Sequence, residues 1–238
     1  MDFAQGRGLG NALDGLQRTA EAKYATATRA SQDFCGRHQI PSADQGARQS
    51  GVTANWLEEK GDAARRFVLQ ARHHDLVVVG RPSGGQRAQR SLVEQLLLAS
   101  GRPVVIAPQV APGMAGRLAM IGWKETPEAA HALAAAMPIL VNSERVILAG
   151  VEDGDSGPRS WLDAVARHLG WHGIVAQTQV ISADGRSIAH LLHAAAEAAN
   201  ADLLILGAYG RSRVRELVFG GVTQSFLEGA AMPILLAH

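Results

Sequence analysis

Gly207–Thr223 reads G-A-Y-G-R-S-R-V-R-E-L-V-F-G-G-V-T. It follows the apolar run D-L-L-I-L (Asp202–Leu206) and precedes a stretch that ends in P-I-L-L-A-H (Pro233–His238). An apolar block without polar alternation reads as a strand buried on both faces. Gly207 then ends a strand, and the loop after it lies at the carboxyl edge of a parallel sheet, where such sheets bind ligands. Glycines there let main-chain N–H groups approach an anion with no Cβ in the way. A helix from about Val222 would point its positive end at the same spot. Arg211 and Arg213 add charge, and Thr223 adds a hydroxyl donor. The same glycines serve equally for a tight turn and close helix packing with solvated arginines, and both readings stay open.

The block has an earlier counterpart. D-L-V-V-V-G (Asp75–Gly80) precedes D-L-L-I-L-G (Asp202–Gly207) by 127 residues. R-P-V-V-I-A-P from Arg102 matches M-P-I-L-L-A-H from Met232, with the prolines Pro103 and Pro233 130 residues apart. Two matched segments in one order at nearly one offset point to a duplicated domain.

Working outward, the second half predicts strands at Arg117–Trp123, Arg145–Val151, Val175–Ile181, from Asp202 and from Pro233. Helices are expected at Pro127–Asn142, Arg159–Leu169 (closed by Gly170), Ile188–Ala201 and from about Val222. The alternation implies a parallel sheet with helices on both faces. The first half predicts one long helix over Leu13–His38, a strand at Val52–Glu58, a helix over Gly61–His74 and the strand from Asp75. A helix from about Ser91 and the strand from Pro103 complete it. G-R-G-L-G (Gly6–Gly10) follows no strand and reads as a flexible terminus. Against the second half, an opening strand–helix–strand unit is missing. The glycine-rich link Val110–Gly116 marks the boundary. The expected fold class is α/β, as two tandem doubly wound parallel-sheet domains spanning 1–110 and 117–238.

This pattern resembles the universal stress protein family, over the whole second half and more loosely over the first. The family motif is glycine, two residues, glycine, nine residues, glycine, then serine or threonine. Gly207, Gly210 and Gly220 match it; Gly221 stands in the serine/threonine place, with Thr223 two residues on. The resemblance implies an adenine nucleotide alpha hydrolase-like fold in tandem form, with a degenerate first domain. It implies an ATP or AMP site, any Mg²⁺ arriving with the nucleotide, held by Gly207, Gly210, Arg211, Gly220, Gly221 and Thr223. It also implies a stress-response role without a chemical mechanism. Nucleotide-binding members carry an aspartate just after their first strand; in I-G-W-K-E-T-P, Lys124 occupies that place and Glu125 is the nearest carboxylate. Lysine accepts no hydrogen bond. In the first domain Ser91 stands in the serine/threonine place. The family's last strands commonly pair, which implies an intrachain pseudo-dimer through Val104–Ala107 and Ile234–Ala237, with a homodimer as a further use of such an edge.

Composition removes other classes. Lys plus Arg is 23 and Asp plus Glu is 22, too balanced for a dedicated nucleic-acid binder. The single cysteine, Cys35, forms no intrachain disulfide and fits a reducing compartment. No apolar run spans a membrane and the N-terminus lacks a secretory pattern, so the expected location is the cytoplasm. The nucleophile elbow G-x-S-x-G and the P-loop are absent. The pairs His190/His193 and His168/His172 lack a third ligand, so no metal site is expected. Asp153–Gly157 reads as a loop whose spacing fits no EF-hand. The chain is expected not to be an enzyme, at most a slow ATP hydrolase. The rival readings are an interaction module that binds no nucleotide and acts through its dimer surface, and a slow nucleotide-using enzyme.

Overall fold

The structure is a computed structural model that describes residues 3–43, 51–59, 61–81, 87–110, 113, 115–152, 158–183, 185–208 and 231–238. These fall into two compact units, 1–60 and 61–238.

The first unit is built on α1 (Phe3–Arg37), 35 residues long. Gly6–Gly10, expected as a flexible terminus, lies inside this helix. From residue 14 onward only Thr28, Ser31 and Cys35 of the helix lose part of their exposure. Gln39 adopts φ 54° and ends the helix, with the Ile40 N–H on the Cys35 carbonyl at 2.9 Å. A glutamine tolerates that left-handed region poorly compared with glycine, so the turn costs some strain. The strand expected at Val52–Glu58 does not form. A single parallel bridge joins Ser42 to Ala54, and the Trp56 ring tilts against Tyr24. A strand needs a neighbour for its backbone groups, and among the described residues this stretch finds one bridge.

The second unit is a seven-stranded sheet. Its elements run α2 (Ala63–Ala71), β1 (Val77–Gly80), α3 (Arg87–Ala99), β2 (Val104–Ala107), β3 (Leu118–Trp123), α4 (Pro127–Leu140) and β4 (Arg145–Glu152). They continue through α5 (Pro158–Trp171), β5 (Ala176–Ser182), α6 (Ile188–Ala198), β6 (Leu203–Gly207) and β7 (Ile234–Ala237). Spatial order is β1-β2-β7-β6-β3-β4-β5, and every pairing is parallel except β2–β7. The link expected to divide two domains therefore joins strands of one sheet.

Both faces of β6 and β7 are buried, as an unbroken apolar block implies, but β1, expected to be buried in the same way, exposes Val78, because it is the edge strand of the sheet. Leu204, Leu206, Ile234 and Leu236 pack on one face with Val68, Leu96, Leu97 and Leu192 of α2, α3 and α6. Leu203, Ile205 and Leu235 pack on the other with Leu133, Leu140, Leu162 and Leu169 of α4 and α5. Each such side chain, fully buried, contributes about 1.5–3 kcal/mol. Helix α5 runs past Gly170 to Trp171; the turn is made instead by Gly173 at φ 77°, with the Ile174 N–H on the Leu169 carbonyl. Gly170 lies in helical backbone, so its glycine freedom is unused there.

The sequence repeat recurs bond for bond. Gly80 pairs with Ala107 and Gly207 with Ala237. Val77 N–H donates to the Pro103 carbonyl at 3.0 Å and Leu204 N–H to the Pro233 carbonyl at 3.1 Å. Arg81 N–H on Ala107 and Ala208 N–H on Ala237 are both 2.8 Å. The two pairs meet antiparallel in the middle of the sheet, Val105 opposite Leu235.

Candidate functional site

The strands β5-β4-β3-β6-β7 follow the order 3-2-1-4-5 of a doubly wound sheet. The chain reverses direction of winding between β3 and β6, and the crevice beyond their carboxyl ends is where such sheets take ligands. Two segments meet there: Lys124–Glu128 after β3, and Gly207–Ala208 at the end of β6.

The first segment is shaped by the start of α4. Thr126 caps the helix, its Oγ1 accepting the Ala129 N–H at 3.3 Å, and Pro127 follows with fixed φ. The Thr126 N–H donates to the Lys124 carbonyl at 2.7 Å, which tightens the turn. Lys124 and Glu125 are exposed. Glu125 accepts the Trp123 indole N–H at 3.0 Å.

Gly207 is where the two segments touch. A Cβ on Gly207 would stand 2.5 Å from Ala129 N and 2.7 Å from the carbonyl carbon of Glu128. Close approach of the α4 backbone therefore accounts for this glycine, the packing reading that the sequence left open. The other predicted site residues, Gly210, Arg211, Gly220, Gly221 and Thr223, lie outside the described residues, as do Arg213 and the helix expected from Val222.

The residue that sequence reasoning missed is Glu128. It is 7% exposed, and its Oε2 is buried without a hydrogen-bond partner. Its signal was present: Glu128, Ala132, Ala136 and Leu140 recur every four residues, so a carboxylate stands on the apolar stripe of α4. Beside it the edge is held by backbone. His238 Nδ1 donates to the Ala208 carbonyl at 3.1 Å, and His131 Nδ1 to the His238 carbonyl at 3.2 Å.

In the first half, Ser91 does not begin a helix. Helix α3 starts at Arg87, which places Ser91 in its second turn, accepting from Gln95 Nε2 at 3.1 Å. Arg81, at the end of β1, donates to the Met232 carbonyl at 3.2 Å, and burial lowers its pKa. Among the histidine pairs, His193 meets Glu197 at 3.5 Å, and the His168 and His172 rings pack edge to face. No group of three His, Cys, Asp or Glu side chains is gathered among the described residues. The loop Asp153–Gly157 lies outside them.

The class defined by this strand order is a doubly wound α/β domain. Residues 125–238 match the profile of the universal stress protein family. A crystal structure of a universal stress protein from Archaeoglobus fulgidus superposes with a TM-score of 0.65 at 17% identity, over 79% of this chain and 71% of that one. A protein of unknown function from Pseudomonas aeruginosa superposes with a TM-score of 0.58 at 13% identity, over 90% of this chain and 76% of that one. At these identities the likeness is one of fold. No curated protein matches the chain significantly in sequence. No helix among the described residues is long and apolar enough to cross a membrane.

Proposed function

We propose that this is a tandem universal stress protein that acts in the cytoplasm through occupancy of one adenine-nucleotide site, in its C-terminal half. The observation that carries the reading is the reversal of strand order between β3 and β6, where Gly207, the first glycine of the family's motif, ends β6. The described residues there fit a nucleotide. Lys124 supplies an exposed cation for phosphate, and Glu128 supplies an acceptor for a hydroxyl or amine. ATP or AMP is the ligand proposed, any Mg²⁺ arriving with the phosphates. No enzymatic role is proposed beyond slow hydrolysis, since a placed general base is missing from the described edge.

The repeated strand pairs support the tandem reading, with β2 and β7 as the seam of an intrachain pseudo-dimer and the first domain as a degenerate partner. A homodimer is proposed only as an extension of that edge-to-edge habit. One observation favours a second reading, an interaction module without nucleotide: packing against α4 alone explains Gly207.

The test is mass spectrometry of nucleotide released from the heat-denatured protein, with thermal melts in added ATP. Release of ATP or AMP, or stabilisation of about 2.7 kcal/mol at a hundredfold excess over Kd, supports the nucleotide reading. No release and no shift leaves the interaction module.

A further inference from the structure

Three other carboxylates around the C-terminal half of the sheet accept hydrogen bonds. Asp202 accepts three backbone N–H groups, from Gly116, Arg117 and Leu118. Glu144 takes two bonds from Arg117, and Glu125 takes the Trp123 indole. Glu128 differs from these three: it is more deeply buried than any of them, and among the described residues its Oε2 meets no donor. A buried acceptor without a donor destabilises the fold. The rest of its stripe is Ala132, Ala136 and Leu140, so an apolar side chain would pack there without that penalty. Glu128 sits in the first turn of α4, whose backbone packs against Gly207 at the carboxyl edge of the sheet, beside the strand reversal.

We infer that Glu128 is a specificity-determining residue: it accepts a hydrogen bond from an amine or hydroxyl donor on the non-phosphate end of the ligand. A carboxylate repels phosphate, so Glu128 selects the base or sugar while cations elsewhere meet the anion. The inference rests on the nucleotide reading and adds to it the rule by which the ligand is chosen. The donor is either the exocyclic 6-amine of adenine or a ribose hydroxyl, and two analogues separate them. Inosine triphosphate replaces the amine with an acceptor; 2′,3′-dideoxy-ATP removes the hydroxyls.

The test is calorimetric titration of the full chain with ATP and both analogues, on the wild type, Glu128→Gln and Glu128→Ala, with melts of each protein without ligand. The wild type is expected to prefer ATP at least tenfold over one analogue. Glu128→Ala should lose at least tenfold in ATP affinity and lose that preference, while Glu128→Gln, which keeps one acceptor oxygen, should lose less. Without ligand, the melts should show both variants folded, so that lost affinity is not lost structure. The wild-type measurement needs no variant to fold, and equal affinity for all three nucleotides overturns the inference. So does a Glu128→Ala protein that binds ATP and discriminates as the wild type does. A wild type that binds no ATP fails the nucleotide reading itself, and this inference falls with it.

Discussion

Gly207 and Ala129 stand so close that a Cβ on the glycine would lie 2.5 Å from the Ala129 backbone nitrogen. Backbone atoms yield less readily than side-chain ends. Gly207→Ala is therefore expected to destabilise the protein by about 1–3 kcal/mol through overpacking, read as a fall in the urea midpoint. Gly80, its partner in the repeat, has open space where a Cβ would stand, with nothing within 4 Å. Gly80→Ala should stay within about 0.5 kcal/mol of wild type. Equal effects at the two glycines would contradict the packing account.

Asp202 fastens β6 to the start of β3. Its Oδ1 accepts from Gly116 at 2.9 Å and Leu118 at 3.0 Å, and its Oδ2 from Arg117 at 3.2 Å. Removing the carboxylate strands three N–H groups, so Asp202→Ala should lose about 2–3 kcal/mol. Asp202→Asn keeps one acceptor oxygen and should recover part of the loss. Chemical denaturation of the two variants checks the order; an alanine variant as stable as wild type would show that water replaces the carboxylate without cost.

The Arg117 guanidinium, bonded to both Glu144 oxygens at 2.8 Å, holds the Glu144 carboxyl below the usual glutamate range, first by hydrogen bonding. Glu144 in turn raises the Arg117 pKa, again mainly through the hydrogen bond. A lowered carboxylate pKa adds stability that is present above the unfolded value and lost as pH falls through the folded one. The pair is exposed, so its effect on stability is small. An NMR titration of the Glu144 carboxyl carbon should give a midpoint below that of a free glutamate, rising toward it in Arg117→Gln. A midpoint unmoved by the substitution would mean the pair does not persist in solution.

The antiparallel seam between β2 and β7 is central in the sheet, and Val104, Ile106, Ile234 and Leu235 are fully buried along it. Hydrogen exchange should show the amides of 104–106 and 234–236 among the slowest in the chain. Fast exchange at β2 alone would mean that the first half opens independently of the second.

Much of this fold is legible in the sequence because the chemistry is local. Asp202–Gly207 has no polar alternation, and both faces of β6 are indeed buried. Thr126 and Pro127 announce the start of α4 by their residue types alone. What escapes depends on neighbours. Val52–Glu58 has the β-propensity of a strand, but a strand also needs backbone partners, and it has one bridge. Gly170 looks like a helix stop, yet Gly173 takes the turn three residues later. Gly207 reads as a glycine that makes room for an anion or for close packing; its approach to the α4 backbone is a contact that no pattern within residues 207–223 could disclose. Glu128 escapes notice although its four-residue spacing with Ala132 places it on an apolar face. The predicted site residues from Gly210 to Thr223 lie outside the described residues.

The account stands most directly on where ATP binds. With backbone amides assigned, titration with ATP should move the resonances of Lys124, Glu125, Glu128, Gly207 and Ala208 in a saturable way, while those of β5 at the far edge of the sheet stay in place. Saturating ATP that leaves the residues flanking β3 and β6 unmoved, or that shifts amides elsewhere instead, would contradict the proposed site.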